Sequence, residues 1–435
     1  MQALLSFDQA PPLAAPLRFF LTAPVFAMLV GILILSIGPQ VFVSRWTAPV
    51  LAATHLFTLG FLAQVIIGAM LQILPVVAGA NIAHPLPVAR LVHLLLVAGT
   101  LALVAAFLTF DTWAFKTAGW LLGGSLATFF LAAAHALFKV RSSNPTIVGL
   151  QLSLVGLFGT VTLGLLLVFS LGASWPLPLL QLTALHFGWG VVGWGIVLLI
   201  AVALVVVPMF QLTPAYPKWL AHTFCPLALL LLTLQMLADL SGWPLSANVL
   251  ASILAMGVAV FAAQTLRLQR QSTRVRFDAS QHFWHLAMSC GLAASGLWLG
   301  LLWLPELFSE PAWILFCGVL IFIGGFMSVM IGMLYKIVPF LIWLHLQNCC
   351  PAGMMAPNMN KVIAARHIDR QLWAHGAALL LLLAAVVWPV WFAYLAGVAL
   401  LFANGWLLRN LLAALIFYRQ QAARIAVAAR EVQTP

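Results

Sequence analysis

The chain has 435 residues, of which 64% are hydrophobic and 6% charged, with 19 Lys and Arg against 8 Asp and Glu. A soluble domain carries about 25% charged residues, so this inventory cannot build an aqueous surface and a soluble globule is excluded. The formal charge of +11 invites a nucleic-acid reading, which the placement of the charges argues against.

Apolar stretches long enough to cross a bilayer, about 18 residues or more, follow one another almost without pause. In chain order they fall at 19–38, 48–78, 89–110, 117–138, 146–171, 179–208, 219–239, 246–266, 282–304, 312–342, 372–389 and 391–412. Trp388-Pro389 is the only break between the last two. The expected fold class is all-α, a polytopic membrane protein of about twelve helices. The first stretch lacks a small-residue cleavage site and reads as a retained helix rather than a secretory signal.

Alternating spans sort the basic residues by side. Arg18, Arg90, Lys139, Arg141, Lys218, Arg267, Arg270, Arg274, Arg276, Lys361, Arg366, Arg370, Arg409, Arg419, Arg424 and Arg430 share the face of the N-terminus. Arg45 and Lys116 alone fall on the opposite face, and Lys336 lies inside a span near the basic face, where it is expected to snorkel to the headgroups. By the positive-inside rule both termini are cytoplasmic. The charge sets orientation and touches anionic lipid, so membrane lipids rather than nucleic acid are the expected partners. The five cysteines form no disulfide framework, and Cys349 and Cys350 are placed on the reducing side.

A repeat organises the spans. The second, sixth and tenth read THLFTLGFLAQVIIGAMLQILP (54–75), LHFGWGVVGWGIVLLIAVALVVVP (185–208) and GVLIFIGGFMSVMIGMLYKIVP (318–339). All three are long and Gly-rich, and end toward the basic face in an apolar residue and a proline. The chain therefore parses as three four-helix sets, about 18–140, 141–270 and 280–418, in one transmembrane domain with a cytoplasmic tail at 419–435. The glycines suit close helix packing or the approach of a flat cofactor.

Nine of the eleven histidines, His84, His93, His135, His222, His282, His285, His345, His367 and His375, are placed in loops or helix ends at the basic face. His55 and His186 fall in the far half, each about seven residues into its helix, roughly 10 Å below the far surface. A lone intramembrane histidine commonly bonds a neighbouring helix. Two at one depth on related helices fit a shared haem, because neutral imidazole is a natural axial ligand.

This pattern resembles subunit I of the haem–copper oxidases and nitric-oxide reductases, over nearly the whole chain in architecture but in motif only on helices 2, 6 and 10. The resemblance implies that His55 stands where that family holds a low-spin haem, and His186 on the helix that carries a ligand of the active-site metal. The departures lie at the catalytic centre. Helix 10 offers Phe316-Cys317-Gly318-Val319 in place of a His-x-His pair, helix 7 has only His222, near the basic face, and helix 6 lacks an acidic or tyrosine partner, reading His186-Phe187-Gly188-Trp189. The chain looks more like the divergent non-oxidase branch that includes the NnrS proteins, haem-and-copper membrane proteins of nitric-oxide metabolism. The resemblance implies haem b, copper as a second candidate metal, a respiratory or denitrification redox partner, and a bacterial-type inner membrane.

Other chemistry is sparser. The stretch from His345 to Met359 gathers Cys349, Cys350, Met354 and Met355, soft donors that suit Cu(I), although a plain cytoplasmic loop explains them as well. His282 and His285 share a helix face, either as an interfacial pair or as part of a site. The 267–276 run reads as a solvated loop. Arg45-Trp46, just outside the histidine layer, could pair with haem propionates or simply anchor the interface. A transporter of metal, haem or a small solute is the competing reading. Asp111, Asp239, Glu306 and Glu310 all sit at far helix ends, which leaves such a transporter no evident carboxylate site within the spans.

Overall fold

The computed structural model describes residues 11–274, 278–351 and 354–433. Twelve of the described helices are long and apolar enough to cross a membrane. They are α1 Ala14–Phe42, α2 Ala48–Ala78, α3 Pro85–Thr109, α4 Thr112–Leu137, α5 Pro145–Ala173, α6 Leu179–Gln211, α7 Lys218–Leu240, α8 Pro244–Arg270, α9 Ala279–Trp303, α10 Pro311–Cys349, α11 Ala365–Val387 and α12 Pro389–Ala429. No strand occurs among the described residues.

Local chemistry sets the helix starts. Proline opens α3, α5, α8, α10 and α12, where its missing N–H costs nothing and its φ is already helical. Asp111, Asn144 and Asp278 cap α4, α5 and α9 by accepting from the backbone N–H groups of Ala114, Thr146 and Gln281 at 2.8, 2.9 and 3.0 Å. Gly79 ends α2 in the left-handed region, φ +64°. The expected spans all appear, but several run further toward the basic face. α10 continues to Cys349, α11 begins at Ala365, and α12 carries Arg419 and Arg424 within its helix. Hydropathy marks the hydrocarbon limit, whereas a helix can go on into the headgroup layer with basic side chains outward.

Nine helices form a closed ring in which α1 packs on α3, then α4, α5, α7, α8, α9, α11 and α12 follow, and α12 returns to α1. The remaining three, α2, α6 and α10, sit inside it. Their most apolar stretches are 83%, 61% and 50% buried, against 28–44% for the other nine.

The three inner helices share a register more exact than the sequence pattern alone conveys. Each opens into one π-helical stretch: Leu56–Ala63, Trp189–Ile196 and Leu320–Met327. Pro75, Pro208 and Pro339 each stand nineteen positions beyond the first residue of that stretch. The fifth π residue is Gly60, Gly193 or Gly324, and each presses on the preceding ring helix, against Phe26 of α1, Gly156 of α5 and Cys290 of α9. A side chain on Gly156 would collide with the Gly193 carbonyl, so the glycines here serve backbone approach.

Two expectations need correcting. Lys336 does not snorkel to headgroups. It is bound by Asp278, which also pairs with Arg274 at 3.1 Å, while the Arg274 guanidinium donates to the Phe210 carbonyl at 2.7 Å. Arg274 thus ties the loop before α9 to the end of α6, so the 267–276 run is not wholly solvated; Arg276 lies outside the described residues. His375 is not at a helix end. It is fully buried, ten residues into α11, or about 15 Å from that helix's basic-face end.

Candidate functional site

The two far-half histidines flank the π stretches. His55 is the residue just before that of α2, and His186 stands three residues before that of α6. In the shared register His186 is therefore two residues further out, a depth difference of about 3 Å. The position equivalent to His186 in α10 is Cys317, whose buried thiol donates to the Ala294 carbonyl at 3.7 Å.

The structure brings the two imidazoles together. Their ring centroids are 6.5 Å apart and their planes differ by 13°. At that separation the two nearly parallel rings do not touch. Each Nδ1 lies against a main-chain carbonyl, His55 on Leu51 at 2.8 Å and His186 on Thr160 at 3.0 Å. A carbonyl only accepts, so Nδ1 carries the hydrogen, and in the neutral ring Nε2 keeps its lone pair. A second hydrogen bond of this kind is how proteins orient a metal-ligating histidine.

Aromatic and small residues surround the pair. The Phe107 ring lies 5.2 Å from that of His55 and is met edge-on by Phe115. His186 packs its ring over Gly164 of α5, where a Cβ would stand 2.9 Å from Cε1. On the inner side Phe57, Phe187, Phe322 and Trp298 link α2, α6, α10 and α9 through ring contacts of 5.8–6.2 Å. Sequence reading missed these residues, since aromatics abound in every span. It also missed Thr160 and Gly164, which lie on a ring helix that carries no motif.

Packing around the site is loose. The far-half segment Ala48–His55 buries only Ala52, Leu179–Gly188 only Leu185, and Pro311–Val319 only Cys317. The inner segment Gln64–Ala78 buries twelve of its fifteen residues. The most enclosed helices of the bundle thus leave their far halves half-exposed, with the histidine pair among them.

Among the described residues no three His, Cys, Asp or Glu side chains gather in a group that could hold a metal ion. Structural zinc is bound by four ligands and catalytic zinc by three. A metal held here would thus have two protein ligands. Arg45 lies outside the spans and is exposed, its guanidinium stacked over Trp46 at 4.6 Å, and partial burial lowers its pKa. The ring nitrogens of His345 lie against the Leu341 and Pro11 carbonyls at 2.8 and 3.2 Å. His282 and His285 stand 6.4 Å apart on α9.

The described residues define an all-helical, polytopic membrane protein with an imidazole pair on two of its inner helices. No family model matches the chain, and no curated protein is similar to it.

Proposed function

We propose that the chain is a haem-b-binding membrane protein in which His55 and His186 are the two axial ligands, with a role in electron transfer or nitric-oxide and respiratory metabolism. The carrying observation is the ring pair. Two imidazole nitrogens on opposite sides of one metal, each about 2.0–2.1 Å from it, hold their ring centroids about 6.3 Å apart, close to the 6.5 Å observed.

Three features support a porphyrin over a bare ion. The site has two protein donors, and a porphyrin supplies the remaining four. The Nδ1–H bonds to Leu51 and Thr160 leave both Nε2 atoms free for a ligand. The segments 48–55, 179–188 and 311–319 are half-exposed, which suits the approach of a flat group to the pair. When bound, a haem supplies one-electron chemistry. The residues of this chain would hold it between two imidazoles, with Phe107, Phe187 and Trp298 around the site, and would favour electron transfer over gas binding while both imidazoles stay bound. In this reading Arg45, outside the histidine layer, would pair with the propionates. On the resemblance to the haem–copper oxidase fold, the protein belongs in a bacterial inner membrane and works with a redox partner.

The test is the absorption spectrum of detergent-purified protein from haem-replete cells. A Soret band with a six-coordinate low-spin signature is expected. Copper bound without haem would mean that the imidazoles clamp Cu(I), and a colourless, metal-free protein would move the reading to a transporter.

A further inference from the structure

Between the histidine pair and the basic face lies a second polar region. Ser328 is the first residue after the π stretch of α10, and its hydroxyl lies 2.8 Å from His375 Nε2 on α11. One turn along α11, toward the basic face, Gln371 accepts from the Tyr335 hydroxyl at 3.3 Å and donates to the Ala403 carbonyl of α12 at 3.0 Å. Asn410 of α12 donates to the Tyr335 oxygen at 2.8 Å. Asn404, next to Ala403, donates to the Leu400 carbonyl at 2.8 Å. All six side chains belong to residues that are at most 3% exposed.

The cluster is unfinished. His375 Nδ1 and Asn404 Oδ1 are buried without a hydrogen-bond partner among the described residues. Gln64, the first residue after the π stretch of α2 and so the register equivalent of Ser328, has neither amide atom bonded, and Gln72 two turns on is the same. The π stretches of α2 and α10 touch. The corresponding residue of α6 is Val197, and the buried polar pairs of the second repeat, Gln211 with Gln269 and Tyr216 with Thr265, stand at other positions. Six buried polar atoms in four side chains lack a partner on these helices, and each costs its full desolvation if it stays dry. Water, which bridges two to four buried polar groups at a polar site, is the ligand whose chemistry fits all of them.

We infer that the inner halves of α2, α10, α11 and α12 bind a file of ordered water molecules, which connects His375 through Gln371 and Tyr335 to the basic face. Such a file gives a mid-membrane imidazole proton exchange with one side only. The inference does not depend on haem at His55 and His186.

Hydroxyl-radical footprinting of the full-length protein in detergent, with radicals generated from bound water by an X-ray pulse, tests it. After correction for intrinsic reactivity, Tyr335 and His375 should be modified several-fold faster than Phe115 and Phe129, which are equally buried in apolar surroundings. Asn404→Leu should at least halve the modification of His375 while leaving the helical circular dichroism unchanged. Labelling of Tyr335 and His375 no faster than the two phenylalanines would overturn the inference. So would an Asn404→Leu variant that melts higher with unchanged labelling, since that outcome marks a dry, unpaired amide.

Discussion

The far and inner halves of α2, α6 and α10 are built from the same helices in the same register, yet they are packed to opposite ends. Inside the π stretches, Gly60, Gly193 and Gly324 lock each inner helix to the ring helix before it. Outside them, one residue in each far segment is buried, and the two intramembrane imidazoles stand there 6.5 Å apart. A π stretch inserts an extra residue into the helix and is often found at functional sites. Here it separates the half that builds the bundle from the half free to hold something. The difference teaches that overall burial of a helix conceals the point where its packing changes.

The comparison breaks most visibly at the histidines. His55→Ala should abolish or nearly abolish the Soret band, since a single imidazole is a weak hold on low-spin iron. His186→Ala should do the same or leave a five-coordinate iron that binds carbon monoxide. Both variants should keep their helical content, because the far half contributes little packing. Loss of the fold with the band would mean that the far half is structural after all.

The next effect belongs to the inner lock. Gly156→Ala forces a methyl into the Gly193 carbonyl, backbone against backbone, and should cost about 3 kcal/mol, read as a lowered detergent-melting midpoint. An Ala at Gly156 that melts with the wild type would show that α5 and α6 can part, and the close half would no longer be close.

A smaller effect is expected at the basic face. Burial alone would raise the Asp278 carboxyl, but the hydrogen bond and charge of Lys336, the Gln281 N–H and Arg274 together hold its pKa below the ordinary 3.8. A carboxylate depressed in the folded state contributes stability above its unfolded pKa and loses it as pH falls through the folded value. The acid loss should therefore begin below about pH 4. With Asp278 about a third exposed, solvent screening reduces the gain, and Asp278→Asn should cost about 1 kcal/mol at neutral pH. It should also flatten the melting midpoint against pH below 4. An unchanged acid limb in the Asn variant would remove Asp278 as its cause.

Much of this fold was legible in the sequence because hydropathy reports lipid directly. The twelve spans, the long inner helices and the pair His55 and His186 all follow from runs of apolar residues broken by charge, glycine and proline. What lay hidden needed side-chain contacts across helices. Lys336 looked like a snorkelling lysine because Asp278 sits 58 residues away in another segment, and His375 looked peripheral because polar residues blurred the start of α11. Thr160 and Gly164 contribute a carbonyl and an absent side chain, neither of which leaves a mark in sequence. The register of His186 and Cys317 could have been read from their equal spacing to Pro208 and Pro339.

The smallest expected effect probes the far half where no histidine is involved. Gly318 adjoins Cys317 in the far segment of α10, and a Cβ there would meet nothing within 4 Å. Alanine also confines the unfolded chain more than glycine does, a gain of about 0.5–1 kcal/mol in a helix interior. Gly318→Ala should therefore melt at or slightly above the wild-type midpoint, where Gly156→Ala melts well below it. The two substitutions are chemically identical, one against the π stretch of α6 and the other in the far segment of α10, so their difference measures the packing contrast. If Gly318→Ala destabilised the protein as Gly156→Ala should, the far half would be packed as tightly as the inner one, and no space beside the imidazoles would remain for a porphyrin.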